Sequence, residues 1–110
     1  MTPFGAVKVV TTAGTPVQVT TNTEIVCSEI WLQPMRSLSA AATAPEQNSG
    51  AIYLMNSSTA KGASSSNVIM ALDTQQPAVS LKSPVPNGIN LSKLWLDADN
   101  NGDGVLISYA

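Results

Sequence analysis

The densest chemistry in the chain is Asp97-Ala98-Asp99-Asn100-Asn101-Gly102-Asp103-Gly104. Side-chain oxygens stand at offsets 1, 3 and 5 (Asp97, Asp99, Asn101), glycine stands at offset 6, and Asp103 follows. This is how an EF-hand-type calcium loop begins: oxygens so spaced can converge on one hard cation, and glycine permits the sharp bend. Two positions depart from that pattern. Position 12 is Ser108 rather than a bidentate glutamate, and position 8 is Gly104 rather than a hydrophobic residue. The flanks also read as strands rather than helices. Two readings stand: a weak calcium site on Asp97, Asp99, Asn101 and Asp103, or a solvated β-hairpin loop rich in turn formers. The second is the expectation, with no resident metal and no cofactor.

The remaining reactive inventory is thin. There is no histidine, so the usual general base and the commonest metal ligand are both missing. Cys27 is the one cysteine; it alternates with Ile25 along a strand and reads as a buried, inert thiol with no histidine to activate it. Glu24 and Glu29 sit five apart on one expected strand, hence on opposite faces, and cannot flank a glycosidic bond as a carboxylate pair. No spacing brings Glu46 to Asp73. Enzyme activity is not expected. Trp31 and Trp95 each stand in an apolar strand and suit core or subunit contact better than a ligand platform. Arg36, Lys61 and Lys82 are isolated and read as solvated charges or guards of a sheet edge, and the sequence singles out none of them for a partner.

Such a sequence must build its surface in an unusual way. Of 110 residues, 44% are hydrophobic and only 11% charged. Ser and Thr together supply 23 residues, so the coat is hydroxyl rather than ionic. Five basic residues and a net charge of −2 give no electrostatic footprint for nucleic acid. No apolar run approaches the roughly 20 residues that cross a bilayer as a helix. The opening MTPFGAVKVV is not expected to be a signal peptide, lacking a charged region followed by an apolar one. Neither nucleic acid nor membrane is an expected partner.

Short Val/Ile/Thr runs broken every eight to twelve residues by Gly, Pro, Asn or Ser give the rhythm of a sandwich or barrel. Val7–Thr12 and Thr15–Thr21 read as a hairpin turning at Ala13-Gly14. Glu24–Gln33 reads as one strand, apolar on both faces, ended by Pro34. The segment Ser37–Ala44 reads as loop, inside a polar stretch running from Arg36 to Gly50. Ala51–Asn56, Asn67–Leu72 and Val79–Lys82 are further strands, and Ser83–Gly88 is a strong turn. Ile89 and Leu91 occupy odd positions but Leu94 and Leu96 even ones, so a bulge or break is expected across Ser92-Lys93. The last strand is Val105–Tyr109. The expected fold is all-β: a single antiparallel sandwich over residues 1–110, jelly-roll-like, with about eight short strands and an N-terminal arm of about residues 1–5.

Read from Ala51, the order AIYLMNSS, a Ser-rich loop, NVIMAL, a Pro/Asn/Gly turn and INLSKLWLDADNNGDGVLISYA resembles the small β-sandwich structural proteins of tailed bacteriophages. The likeness is greatest to capsid decoration or cement proteins, and it extends to the opening FGAVKVVTTAGTPVQVTT. It implies a non-enzymatic virion protein, made in the host cytoplasm and bound to the outside of the shell. The implied partners are the major capsid protein and further copies of the chain, as a homotrimer suited to three-fold positions. Contacts are expected from the arm (Thr2, Pro3, Phe4) and from Trp31, Arg36 and Trp95. The alternative is a binding module of a head fibre, neck or tail that touches a receptor or carbohydrate. A tryptophan exposed in a groove beside Asp97 or Asp99 would favour that alternative.

Overall fold

The computed structural model describes residues 4–38, 45–60, 67–74 and 76–110. Twelve strands lie among them: β1 (Phe4–Val9), β2 (Val17–Gln18), β3 (Val26–Cys27), β4 (Glu29–Pro34), β5 (Ser37–Leu38), β6 (Pro45–Glu46), β7 (Ile52–Met55), β8 (Val68–Leu72), β9 (Val79–Lys82), β10 (Ile89–Asn90), β11 (Trp95–Ala98) and β12 (Gly104–Tyr109). Every pairing is antiparallel. Eight strands form two four-stranded sheets, ordered β1-β12-β4-β9 and β2-β11-β7-β8. The other four make two short ladders, β10-β3 and β5-β6.

That order is a long hairpin rolled up. Counting only the eight sheet strands, the first pairs with the last, the second with the seventh, the third with the sixth and the fourth with the fifth. Successive pairs alternate between the sheets, which is the jelly-roll arrangement. Alternation then sets the core. Ile30 and Leu32 of β4 and Val105 and Ile107 of β12 face Ile52 and Leu54 of β7, Leu72 of β8 and Leu96 and Ala98 of β11. All nine are buried.

Several local expectations change. The Ala13-Gly14 turn forms, with Thr15 N donating to Thr12 O at 3.0 Å and Gly14 at φ +84°. Its flanking strands are nevertheless not a hairpin, because β1 pairs with β12 and β2 with β11, in different sheets. Period-two alternation fixes the faces of a strand but not its neighbour. Nor are β11 and β12 a hairpin; the 99–103 loop crosses between the sheets.

The single strand expected over Glu24–Gln33 is two, broken at Ser28. Cys27 and Ile30 are both buried while Val26 is 37% exposed, so parity changes at the break. This explains the apolar residues on both parities without a sheet covered twice. A 3-10 turn at Leu91–Lys93, capped by the Asn90 side chain accepting from Ser92 N, accounts for the parity flip between β10 and β11. Ser37–Leu38, expected as loop, pairs with Pro45–Glu46; residues 39–44 lie outside the described residues. Strand β1 takes in Phe4 and Gly5, so only 1–3 of the expected arm precede it, and these too, with Thr2 and Pro3, lie outside the described residues. Lys61 does as well.

Candidate functional site

Strands of a rolled hairpin alternate direction, so the connections 10–16 and 99–103 and the described part of 35–51 gather at one end of the sandwich. The Asp97–Gly104 segment is the knot that ties them. Backbone bonds come first: Val10 N donates to Asp103 O and Gly102 N to Val10 O, each at 2.8 Å. Gly102 sits at φ +83°, a left-handed conformation that glycine adopts without strain. A Cβ there would also stand 2.8 Å from Arg36 Nη2.

Each oxygen of the calcium-like pattern has its own partner. Asp97 is fully buried; its Oδ1 accepts from Gly14 N at 2.8 Å and from Ala98 N at 2.8 Å. Both carboxylate oxygens of Asp99 lie 3.1 Å from the Tyr53 hydroxyl. Asn101 Oδ1 accepts from Ala13 N at 2.8 Å. Asp103, also fully buried, accepts from Ser49 N at 2.9 Å, Gly50 N at 2.8 Å and Ser49 Oγ at 3.2 Å. The four groups thus reach toward different segments of chain. Among the described residues no three His, Cys, Asp or Glu side chains are grouped to hold a metal ion. The loop is not the solvated hairpin loop expected either, since its two end carboxylates are wholly inside.

Arg36 is likewise not a solvated charge or edge guard. Its Nε lies 3.3 Å from Asp103 Oδ1 and from Gly102 O, and its Nη2 donates to Asn101 O at 3.0 Å. Asn48, buried, completes the knot: its Oδ1 accepts from Gly104 N at 2.9 Å and its Nδ2 donates to Gly104 O at 2.8 Å. Sequence reasoning passed over Asn48, Ser49 and Gly50. The available signal was the run of turn formers closing the polar 36–50 stretch.

The acidic oxygens perturb one neighbour. The Tyr53 phenol is held above its ordinary range, first by burial and then by the hydrogen bond and negative charge of Asp99, with Asp97 adding to it. The Cys27 thiol is pushed up by burial, partly offset by a backbone bond from Glu29. It belongs to the core cluster.

The tryptophans lie elsewhere, and neither is in the core cluster. Trp31 stands across from Ser108 and Ser80, on the outward face of the β1-β12-β4-β9 sheet. One row along, Val7, Leu106 and Gln33 lie side by side on that face, and Val9 extends it at 37% exposure. Trp31, Val7 and Leu106 are each half-buried. The charges on this face are Glu29 and Lys82, opposite each other on β4 and β9. Trp95 is half-buried on the outward face of the second sheet, opposite Gln18 and Met55. The expected contact residues Trp31, Arg36 and Trp95 are therefore not one patch: two lie on opposite sheets and the third is held in the knot.

Comparison with known protein families, with curated proteins and with solved structures finds no match for this chain.

Proposed function

We propose that this chain is a non-enzymatic virion protein that binds the outside of a tailed-phage capsid and cements it. The observation that carries the reading is the outward face around Trp31. It lays Val7, Val9, Leu106 and Trp31 over three adjacent strands among serines and a glutamine, with one opposed charge pair to the side. Aromatic and aliphatic groups with few charges are the composition of an interface centre, which supports docking on this face. The sequence resemblance to decoration proteins and the jelly-roll topology point the same way.

The mechanism is mass action. A protein that binds only the assembled lattice stabilises it by about 2.7 kcal/mol per site at a hundred times its dissociation constant, and many sites on one shell act together. The same reading has the chain meet the major capsid protein as a homotrimer at three-fold positions. In solution that gives a light-scattering mass three times 11.4 kDa.

A fibre, neck or tail module contacting receptor or glycan is less well supported. Trp95 has Asp97 two residues on, but that carboxylate is buried under the Gly14 amide. The test of the cement reading is to compare phage shells with and without the protein under heat and osmotic shock. Shells lacking it should rupture at lower temperature, and equal survival would refute the role.

A further inference from the structure

We propose that the gap between the edge strands β1 and β2 is a binding site for a small carboxylic acid with a short branched apolar tail. The two sheets are open to each other along this side, since β1 ends one and β2 ends the other. A partly open cavity of about 100 Å³ lies there. Val19, Ile25, Leu91 and Ile107 supply its aliphatic walls, and Lys8, Thr20 and Tyr109 its polar groups. An apolar cavity of about 150 Å³ holds benzene, so this one takes roughly four heavy atoms of tail.

Lys8 selects the head group. It stands opposite Val105 in the β1–β12 ladder, and residues opposed in an antiparallel ladder share a face. Val105 is fully buried, so Lys8 is an inward-facing lysine, while Val7 and Val9 of the same strand face out. Among the described residues no carboxylate forms an ion pair with Lys8. A half-buried lysine lining an aliphatic gap matches an anion carrying its own apolar group. Inorganic phosphate would satisfy the charge and leave the walls wet; an alcohol of the same shape would do the reverse. A lysine turned inward on an edge strand also discourages edge-to-edge pairing, and the experiment separates that role from binding. The site lies on the opposite side of β1 from the shell-binding face and is independent of that proposal.

The test is a titration of isotope-labelled protein with 3-methylbutanoate at neutral pH, followed by methyl NMR. The expected result is saturable shifts at Val19, Ile25, Leu91 and Ile107. Affinity for 3-methylbutan-1-ol should be weaker by about tenfold, the worth of one charge-assisted hydrogen bond. Lys8→Met, which keeps the aliphatic stem, should lose the preference for acid over alcohol, and Lys8→Arg should keep it. Absence of saturable shifts overturns the proposal. Equal affinity of the native protein for acid and alcohol also overturns it, whether or not the variants fold. Unchanged acid binding by Lys8→Met leaves Lys8 as an edge guard only.

Discussion

Arg36 Nε lies 3.3 Å from Asp103 Oδ1, joining residues 67 positions apart and tying the connection after β4 to the one before β12. The two partners are unequal. Asp103 is wholly buried, whereas the Arg36 side chain is 40% exposed. The carboxylate is satisfied chiefly by the Ser49 and Gly50 amides, and the guanidinium closes the cage from outside while also holding two carbonyls of the 99–103 loop. The jelly roll leaves several loops at one end with unpaired backbone groups, and this knot is how the sequence satisfies them.

Asp103→Ala should therefore cost about 1–3 kcal/mol, because it strands the Ser49 and Gly50 amide donors and removes the ion-pair partner of Arg36. Asp99→Ala, which removes the exposed bond from Tyr53, should cost under about 1 kcal/mol. Urea unfolding of both variants checks the ranking; equal losses would mean that the knot is not what holds this end.

The glycines give a graded series. Gly14 has φ +84° but open space around it, so Gly14→Ala costs strain alone, about 1 kcal/mol. Gly102→Ala adds a clash with Arg36 to a φ of +83°. At Gly104 a Cβ would meet Lys8 O at 2.5 Å and Met35 O at 3.1 Å, backbone atoms of β1 and of the residue just past β4. Thermal melts should fall in the order Gly14→Ala, Gly102→Ala, Gly104→Ala, the last being the most damaging.

Calcium should do little. Asp97, Asn101 and Asp103 spend oxygens on the amides of Gly14, Ala13, Ser49 and Gly50. Millimolar calcium, and chelator in turn, should leave the melting temperature within about a degree; for a domain of this size a 1 kcal/mol gain would shift it by about 4–8 °C. A calcium-dependent rise of that order would show that the loop rearranges to bind the ion.

How far the sequence speaks is clear from particular residues. Ile89, Leu91, Leu94 and Leu96 announced a break by parity alone, and a 3-10 turn stands there. The all-β sandwich followed from strand length and turn spacing, which are local properties. Val7–Thr12 and Thr15–Thr21 misled because alternation looks the same whether the partner is the next strand or the last. Asp97–Gly104 misled for a related reason. Its oxygens are matched to Ala13, Gly14, Ser49 and Gly50, all more than 45 residues away, and spacing within a motif carries nothing about donors brought in by the roll. Spacing alone gives Lys8 no direction; its register with Val105 turns it inward.

Alkaline pH should weaken the fold in two steps. Cys27 and Tyr53 both have folded-state values above their ordinary 9.0 and 10.0. Below about pH 9 neither affects stability, since both are protonated folded and unfolded. As pH rises past 9.0 the unfolded thiol releases its proton first, and past 10.0 the unfolded phenol does so, while the folded groups hold theirs. Stability should fall over this window, and unfolding free energies from pH 7 to 11 will show it. Cys27→Val should remove the first part of the decline and Tyr53→Phe the second; an unaltered decline in both variants would place its origin elsewhere.

The most direct test of the cement reading is co-sedimentation with shells of the cognate phage that lack this protein. The native chain should pellet with mature shells to saturation. Trp31→Lys, which places a charge at the centre of the outward face, should stay in the supernatant while retaining a cooperative melt, and Trp95→Lys on the opposite sheet should still pellet. A native chain that remains in the supernatant, or a Trp31→Lys variant that pellets as well as the native protein, would contradict the account.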